Sequence, residues 1–161
     1  MTATTQDLLL DERSQVEGIE EEVAIATSAT VYVGGLVNFN AAGRLVDATN
    51  TAGQTFAGVV IDPLNDSGSP LATLTGNAAG TVKARIRYNH QLKVGIKTAS
   101  RTTTNLNKTA FVLDNQTAQG TGVGTTLKRI AMGPIAIFTD STKAYAYVTL
   151  TRTLGASAAT G

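Results

Sequence analysis

The sequence predicts an all-β domain, a compact β-barrel or β-sandwich, that follows an extended N-terminal arm. Apolar residues occur in short runs that Gly, Asn, Asp or Ser interrupt about every eight to twelve positions, as in sheets built from many short strands. The chain has 161 residues and no cysteine, which suits one domain stabilised by packing and not by disulfides. We therefore divide it into an arm, residues 1–22, and a β-domain, residues 23–161.

The β-domain is predicted to contain a series of short strands separated by turn residues. The segment Asn40-Ala41-Ala42-Gly43 predicts a hairpin turn that ends in a left-handed glycine. Helix signals after the arm are weak. The predicted strands are 23–27, 31–39, 44–46, 56–61, 71–75, 82–88, 92–97, 110–113, 127–131, 135–138 and 144–150.

Residues 82–97 predict a hairpin with one apolar and one basic face. The first strand alternates apolar residues with Lys83, Arg85 and Arg87, and the second continues the alternation with Lys93. A loop of three residues after Arg87 places apolar residues opposite one another and pairs Arg85 with Lys93. Like charges in that position repel. Either an acidic partner covers the basic face, or the long side chains extend into water.

Charges are strongly segregated along the chain. Residues 1–22 hold seven acidic residues and one basic residue, for a net charge of −6. Between Ser67 and Leu113 there are seven basic residues and no acidic one. This pattern predicts either an interaction tail with a complementary surface, or a solvated tail beside an ordinary basic sheet. We call the basic set the basic belt: Lys83, Arg85, Arg87, Lys93, Lys97, Arg101 and Lys108.

The arm has too few apolar residues to form a core, so we expect it to be extended and solvated until a partner orders it. Its apolar residues are candidate anchors, and its carboxylates are candidate steering groups. The candidate contacts are therefore Leu8, Leu9, Leu10, Asp11, Glu12, Val16, Ile19, Glu20, Glu21 and Glu22 in the arm, with Lys83, Arg85, Arg87 and Lys93 in the basic belt.

The sequence contains no recognisable constellation of catalytic residues. His90, the only histidine, falls beside Asn89 in the predicted loop, with no cysteine and no nearby carboxylate. This predicts a solvated loop residue and not a metal ligand or a catalytic base. The glycine-rich run at 120–126 lacks the Gly-Lys-Ser/Thr ending of a phosphate-binding loop. We therefore predict no enzymatic activity, no cofactor and no metal site.

Composition also bears on nucleic acid and membranes. Tyr88 is the only aromatic residue between Lys83 and Lys108, so the basic belt lacks the stacking surface of a dedicated single-strand binder. No stretch approaches the ~20 apolar residues of a membrane-spanning helix, and the leucines at 8–10 sit among acidic residues, unlike those of a secretion signal. We expect a soluble protein with no membrane and no specific nucleic acid among its partners.

From residue 23 onwards the chain resembles a known family. The likeness is in the order and spacing of turn glycines and strand alternations, which resemble those of small phage capsid decoration, or cement, proteins of the domain-of-unknown-function type. It implies a β-barrel or β-sandwich on the outside of an icosahedral head, in trimers that contact the major capsid protein and brace neighbouring capsomers. The segments that carry it are 29–37 (ATVYVGGLV), 40–46 (NAAGRLV), 49–53 (TNTAG), 56–60 (FAGVV), 82–85 (VKAR), 107–114 (NKTAFVLD) and 132–135 (MGPI).

The same resemblance implies a virion protein that is made in the cytoplasm of a bacterial host. It identifies no contact residues, and the long acidic arm and the polar loop at 98–107 depart from the family pattern. Two alternatives stay open. The chain is otherwise another virion component, such as a tail-tube or fibre-associated protein, or a carbohydrate-binding β-module on the particle surface.

Overall fold

The computed structural model describes residues 18–120 and 130–152, and their fold is all-β, as the sequence predicts. These ranges contain twelve strands and two single-turn 3₁₀ helices, Thr98–Ser100 and Thr103–Asn105. The strands are β1 (Ile19–Ala24), β2 (Thr30–Tyr32), β3 (Leu36–Phe39), β4 (Leu45–Asp47), β5 (Thr55–Leu64), β6 (Thr73–Thr75), β7 (Lys83–Tyr88), β8 (Gln91–Ile96), β9 (Thr109–Val112), β10 (Thr117–Gln119), β11 (Ala131–Phe138) and β12 (Tyr145–Thr149). The predictions for Leu8, Leu9, Leu10, Asp11, Glu12 and Val16, and for most of the glycine-rich run, fall outside the described residues.

The described strands form three groups. A five-stranded sheet has the order β1-β7-β5-β3-β4, five strands close a barrel in the order β10-β8-β12-β11-β9, and β2 pairs with β6 in a two-stranded ribbon. The named strands pair antiparallel, apart from β8 and β10, which run parallel. The sequence predicted a barrel or a sandwich, and the fold combines a small closed barrel with an open sheet that packs against it.

Two hydrophobic cores lie on opposite faces of the five-stranded sheet. In β3, Leu36 belongs to the barrel core, and Val37 belongs to a second core that also contains Val31 of the ribbon. In β5, Val59 and Val60 divide in the same way. Successive side chains of a strand point to opposite faces, so these central strands are buried on both sides. Full burial of such a side chain stabilises the fold by about 1.5–3 kcal/mol.

The predicted strand 31–39 is in fact two strands that belong to different groups. Gly34 has a φ of 76°, and the Gly35 N–H donates to the Tyr32 carbonyl at 3.0 Å, so the chain turns sharply between β2 and β3. A left-handed backbone of this kind favours glycine. Apolar residues flank the turn on both sides, and for that reason the pattern alone reads as one continuous strand.

The predicted turn after β3 is confirmed. Asn40 Oδ1 accepts hydrogen bonds from the Ala42 and Arg44 N–H groups, both at 3.0 Å, and Gly43 has a φ of 72°. The asparagine side chain thus satisfies backbone donors that a tight turn leaves without a strand partner. β3 and β4 pair as the predicted hairpin.

The predicted hairpin of residues 82–97 is wrong. β7 lies in the sheet between β1 and β5, whereas β8 lies in the barrel between β10 and β12. Asn89 has the expected left-handed conformation, with a φ of 60°, but His90 is only 3% exposed and is no loop tip. The Asn89 N–H donates to the Leu150 carbonyl, and the Leu150 N–H donates to the His90 carbonyl at 2.8 Å. These bonds fix the corner that leads the chain from sheet to barrel.

The barrel contains elements that the sequence pattern did not reveal. β10 is a short strand that joins β8 to β9, and β11 is one strand with two register shifts where two strands were predicted. Only Ile130 and Ala131 of the predicted strand 127–131 are described.

Gly133 in β11 has a φ of 136°, and a Cβ there would lie 1.8 Å from the Thr149 carbonyl oxygen. The close approach of β11 to β12 therefore requires glycine.

Candidate functional site

The last residues of the predicted arm lie beside the first residues of the basic belt, within one sheet. β1 pairs antiparallel with β7, and the register places Glu20 opposite Arg87 and Glu22 opposite Arg85. Residues directly opposite in an antiparallel pair share one face of the sheet. Two carboxylates spaced two residues apart on β1 thus match two guanidinium groups with the same spacing on β7.

These residues form ion pairs within the chain. Glu20 Oε1 lies 2.6 Å from Arg87 Nη2 and 3.2 Å from its Nε, so both nitrogens donate to one oxygen. Glu22 Oε1 lies 3.7 Å from Arg85 Nη2. On the other side of β7, a register shift in β5 places Asp62 opposite Arg85, with 3.3 Å between Oδ2 and Nη1. We call these five residues the charge ladder.

Solvent reaches the charge ladder. Its side chains are between 24% and 49% exposed, so water screens the charges, and each pair stabilises the fold by about 0.2–1 kcal/mol. Three carboxylates face two guanidinium groups, which leaves the ladder with a net charge of −1. β1 is an edge strand, and charged side chains along an edge discourage pairing with another sheet.

Glu21 makes a separate contact, because its side chain points to the other face of β1. Its carboxylate forms an ion pair with Arg152, which follows β12. The Arg152 guanidinium lies 4.4 Å from the ring centre of Phe39 and 4.9 Å from that of Tyr88, and its side chain is 13% exposed. The Arg152 side chain therefore connects the end of β12 to the sheet, through cation–π contacts with the two rings and an ion pair with Glu21. The sequence carries no local signal for this contact.

The predicted boundary between arm and domain falls inside a strand, because β1 begins at Ile19. The expectation that residues 20–22 stay solvated until a partner binds is therefore wrong, since β7 supplies both backbone hydrogen-bond partners and counter-charges. The basic belt is not one surface either. Its candidate contact residues divide between the sheet, with Lys83, Arg85 and Arg87, and the barrel, with Lys93.

The outer face of the barrel carries an open groove with a volume of about 400 Å³. Three neighbouring strands line it, with Ile137 opposite Tyr147 and Tyr147 opposite Lys93. Phe138 and Thr139 complete the lining. Ile137, the penultimate residue of β11, is 42% exposed, which is a large fraction for an isoleucine in a barrel strand. We call this site the barrel groove.

A second aromatic side chain extends the apolar surface beside the groove. Tyr145 is 40% exposed, and the Lys93 ammonium lies 5.6 Å from its ring centre, within range of a cation–π contact. Ala146, between the two tyrosines, is buried in the barrel core. The alternation Tyr-Ala-Tyr is the sequence signal for this surface, but it lies in a strand that sequence reasoning used only to assign the core.

A carboxylate with a perturbed pKa lies where the sheet meets the barrel. Asn115 Nδ2 donates to Asp47 Oδ2 at 3.2 Å, and the Leu36 N–H donates to the Asn115 carbonyl at 2.8 Å. Burial raises the pKa of Asp47 to about 6 from 3.8, the hydrogen bond from Asn115 opposes the rise, and the charge of Asp114 adds to it. Asp47 therefore changes its protonation state between mildly acidic and neutral pH.

The described residues offer little for metal or membrane chemistry. Within 18–120 and 130–152, no group of three His, Cys, Asp or Glu side chains could hold a metal ion. No helix in those two ranges is long and apolar enough to cross a membrane. His90 lies buried at the corner between β7 and β8, where the prediction placed a solvated loop.

Comparison with known proteins identifies no relative of this chain. No family model, no curated protein and no solved structure matches this chain. The resemblance to phage decoration proteins therefore rests on the ordered segments in the sequence, and it stays a prediction.

Proposed function

We propose that this chain is a structural protein of a virion, a decoration or cement protein that binds the outside of a phage head and stabilises contacts between capsomers. It has no enzymatic role and uses no cofactor. Its partner is the major capsid protein, and it is made in the cytoplasm of the bacterial host before it joins the head surface. The ordered resemblance between residues 29 and 135 supports this proposal.

The apolar outer face of the barrel is the observation that carries the proposal. Ile137 and Tyr145 are each at least 40% exposed; Ile137 lines the groove with Tyr147, and Tyr145 lies beside it. Contiguous apolar surface on a small domain is typical of protein interaction sites, and tyrosine is enriched at interfaces. The charge ladder, in contrast, is largely neutralised within the chain. Binding to a shell through apolar contacts fits this distribution.

A bracing role also requires a body that resists deformation. The two cores share strands β3 and β5, so the barrel and the ribbon cannot separate without exposing both faces of the sheet. The contact of Arg152 with Glu21 ties the end of the last described strand to the first. These contacts support a function in which the protein transmits force between neighbouring capsomers.

The proposed functional unit is a homotrimer. A sheet rich in Gly and Thr with 5% aromatic residues gains stability when subunits bury further apolar surface between them. Ile19 and Leu71, 49% and 44% exposed, provide apolar surface beyond the barrel groove. Mass measurement in solution checks this point. A single-chain mass at micromolar concentration, both alone and on empty heads, removes the trimer from the proposal.

Copy number in purified particles tests the function. A decoration protein occupies most equivalent positions of the shell, so we expect a number of copies close to that of the major capsid protein. Quantitative mass spectrometry or gel densitometry of particles provides the ratio. A few copies per particle point instead to the tail-tube or fibre-associated alternative, and absence from particles rejects a virion role altogether.

The second candidate, a carbohydrate-binding β-module, has one observation in its favour. Tyrosine rings at an open groove resemble surfaces on which sugar rings stack, and here Tyr145 is exposed beside the groove while the half-buried Tyr147 lines it. Binding to a panel of bacterial surface glycans separates the two candidates. Binding that Tyr145→Ala and Tyr147→Ala abolish, together with low copy number, favours the carbohydrate function.

A further inference from the structure

We propose that Asp47, Asp114 and Asn115 bind a calcium ion where the sheet meets the barrel. Two carboxylates and one carboxamide supply oxygen ligands at this place. Calcium is coordinated in proteins by the oxygen atoms of carboxylates, amides, backbone carbonyls and water. The site is separate from the barrel groove and from the charge ladder, and the inference does not require the proposed function.

Backbone hydrogen bonds to Leu36 bring the two acidic segments together. The Leu36 N–H donates to the Asn115 carbonyl at 2.8 Å, and the Leu36 carbonyl accepts from the Ala48 N–H at 3.1 Å. The amide and the carbonyl of one strand residue point to the same side of the strand, so Asn115 and Ala48 lie next to each other along β3. Asp114 and Asp47 directly precede these two residues. Two acidic residues from distant parts of the sequence therefore meet here.

Two oxygen atoms at this junction are buried and accept no hydrogen bond from the described residues. Asn115 is 1% exposed, and its Nδ2 donates to Asp47 Oδ2 at 3.2 Å, but its Oδ1 has no partner. Asp47 Oδ1 has none either. Each of these atoms belongs to a group that takes part in the one hydrogen bond, so both lie beside it. Buried acceptors without a donor are rare in folded proteins, and a bound ion is one way to satisfy them.

The charge at the junction is negative. Within residues 18–120 and 130–152, Asp47 and Asp114 form no ion pair with a basic residue. Burial raises the pKa of Asp47, and the charge of Asp114 adds to the rise, which shows that the two carboxylates are close enough to repel each other. When both are ionised, the pair carries a charge of −2, which one divalent cation balances.

The position of the oxygen atoms favours a small ligand. The two unpartnered atoms are out of contact with solvent, so a side chain of another protein reaches them only if the junction opens. Asp47 and Asp114 are half-buried, which gives an ion a route from solvent. Calcium accepts about six to eight ligands in a flexible arrangement, whereas magnesium requires a near-ideal octahedron and releases its water reluctantly. Three side chains with further ligands from water and carbonyl groups therefore fit calcium better than magnesium.

A calcium ion here would connect the two halves of the fold. Asp47 is the last residue of β4 in the sheet, and Asp114 and Asn115 lie in the turn between β9 and β10 of the barrel. An ion that binds the folded state alone stabilises it by mass action. The site contains no histidine or cysteine and only two carboxylates, so it lacks the signals from which the sequence predicted the presence or absence of a metal site.

Calorimetric titration of the full-length protein with CaCl₂, after dialysis against EDTA and then metal-free buffer, tests the inference. We expect one ion per chain with a Kd on the order of 10⁻⁴ to 10⁻³ M, as for other sites with few charged ligands. At about 10 mM CaCl₂ the unfolding temperature should lie about 5 °C above its value in EDTA. MgCl₂ at the same ionic strength should raise it less.

Variants at the site separate calcium binding from a general effect of salt. Asp47→Asn and Asp114→Asn each remove one charge with little change of shape, and each should lower the calcium affinity at least tenfold. The matched control is Asp66→Asn, the same substitution in an exposed turn elsewhere, which should bind calcium as the unmodified protein does. Circular dichroism verifies that the variants are folded.

Asn115→Asp provides a test that a purely structural role of Asn115 does not pass. The third carboxylate should lower the unfolding temperature in EDTA, because like charges then crowd a buried site. Calcium should restore that loss and produce a larger rise in unfolding temperature than in the unmodified protein. If Asn115 only donates its hydrogen bond to Asp47, the loss should persist in calcium.

Four results overturn the inference. The first is the absence of binding heat together with equal unfolding temperatures in EDTA and in calcium. The second is an equal calcium-dependent rise in Asp47→Asn and in the unmodified protein, and the third is an equal rise with magnesium and calcium. The fourth is an Asn115→Asp variant that calcium does not restore. None of these results changes the copy number in particles, so the calcium site and the proposed function can fail separately.

Discussion

The carboxylates of this chain affect folding stability differently, because they differ in burial and in the charges beside them. Glu20 and Glu22 lie in solvent beside arginines, where each pair contributes a fraction of a kcal/mol to about 1 kcal/mol. Asp47 lies partly buried between sheet and barrel, where removal from water outweighs its one side-chain hydrogen bond, from Asn115. Asp47 therefore favours the folded state when it is protonated.

Replacing Asp47 with Asn should remove a fall in stability that the unmodified protein shows as the pH rises from about 3.8 to about 6. Burial raises the folded-state pKa of Asp47 to about 6 from 3.8, so the folded state holds the proton more tightly than the unfolded state. The stabilisation is complete below about 3.8 and is lost as the pH rises through about 6. Because the carboxyl group is partly solvated, we expect a change in unfolding free energy of about 1 kcal/mol.

Urea unfolding at one pH below this range and one above it measures the effect. The Asp66→Asn variant is the control, because Asp66 lies in an exposed turn and bonds only exposed side chains in the described structure. If the Asp47→Asn variant loses as much stability between the two pH values as the unmodified protein does, Asp47 is not the cause of the pH dependence.

Reversing the charge of Arg85 should destabilise the protein by about 1–2 kcal/mol, because two ion pairs become two repulsions. Glu22 and Asp62 flank this position, so the new carboxylate has no cation in the ladder beside it. The effect should shrink in high salt, which screens surface charges. Chemical denaturation at low and high salt provides the values. Lys108→Glu, at an exposed position outside the ladder, is the control, and equal losses from both reversals reject the ladder as a stabilising unit.

At the scale of elements, local patterns predicted strands well and their partners poorly. The hairpin after Asn40 follows from turn chemistry that spans a few residues, and the alternation in residues 82–97 correctly separates core from surface. Pairing of β7 with β1 and β5 does not follow from either. Several strands of this chain present similar apolar faces, so hydrophobic matching permits many partners. The matched spacing of Glu20 and Glu22 with the arginines of β7 is the signal that could have selected β1.

The sequence likewise predicted some residues of the candidate site and missed others. The acidic and basic residues were predicted as contacts, and the structure joins Glu20, Glu22, Arg85 and Arg87 to each other within one chain. The barrel groove was not predicted, except for Lys93, because it forms where β8 meets the consecutive strands β11 and β12, which lie far along the sequence. No pattern within one strand reports such a meeting.

Replacing Gly133 with Ala should destabilise the barrel by about 3 kcal/mol or more. The new Cβ would lie 1.8 Å from the Thr149 carbonyl oxygen in a backbone with a φ of 136°, so β11 and β12 must separate or distort. Gly43→Ala is the matched control: it has a φ of 72° and no atom within 4 Å, and should cost about 1 kcal/mol. Thermal unfolding of both variants checks the difference. Similar losses contradict the close approach of the two strands.

At the scale of the whole molecule, the acidic N-terminal region has two parts with different roles. β1 completes the sheet, and its contacts with β7 and with Arg152 connect it to the centre and to the C-terminal end of the described chain. The net charge that the sequence assigns to one arm is therefore divided between β1 and the residues that precede it.

Truncation separates these two parts. Deleting residues 2–17 should leave the described body folded, with an unfolding temperature close to that of the intact protein. Deleting residues 2–24 removes β1, exposes the edge of β7 and leaves Arg85 and Arg87 without the β1 carboxylates, so a large loss of stability or failure to fold is expected. Circular dichroism melting curves compare the two. Equal curves mean that β1 is dispensable.

Reconstruction of the intact particle by cryo-electron microscopy tests the central claim most directly, because it locates every copy of the protein at once. The account predicts density on the outer surface of the head that fits the barrel and sheet, at three-fold and quasi-three-fold positions, with the barrel face against the major capsid protein. A head whose outer surface lacks this density, or particles that carry it only on the tail, contradict the assignment as a decoration protein.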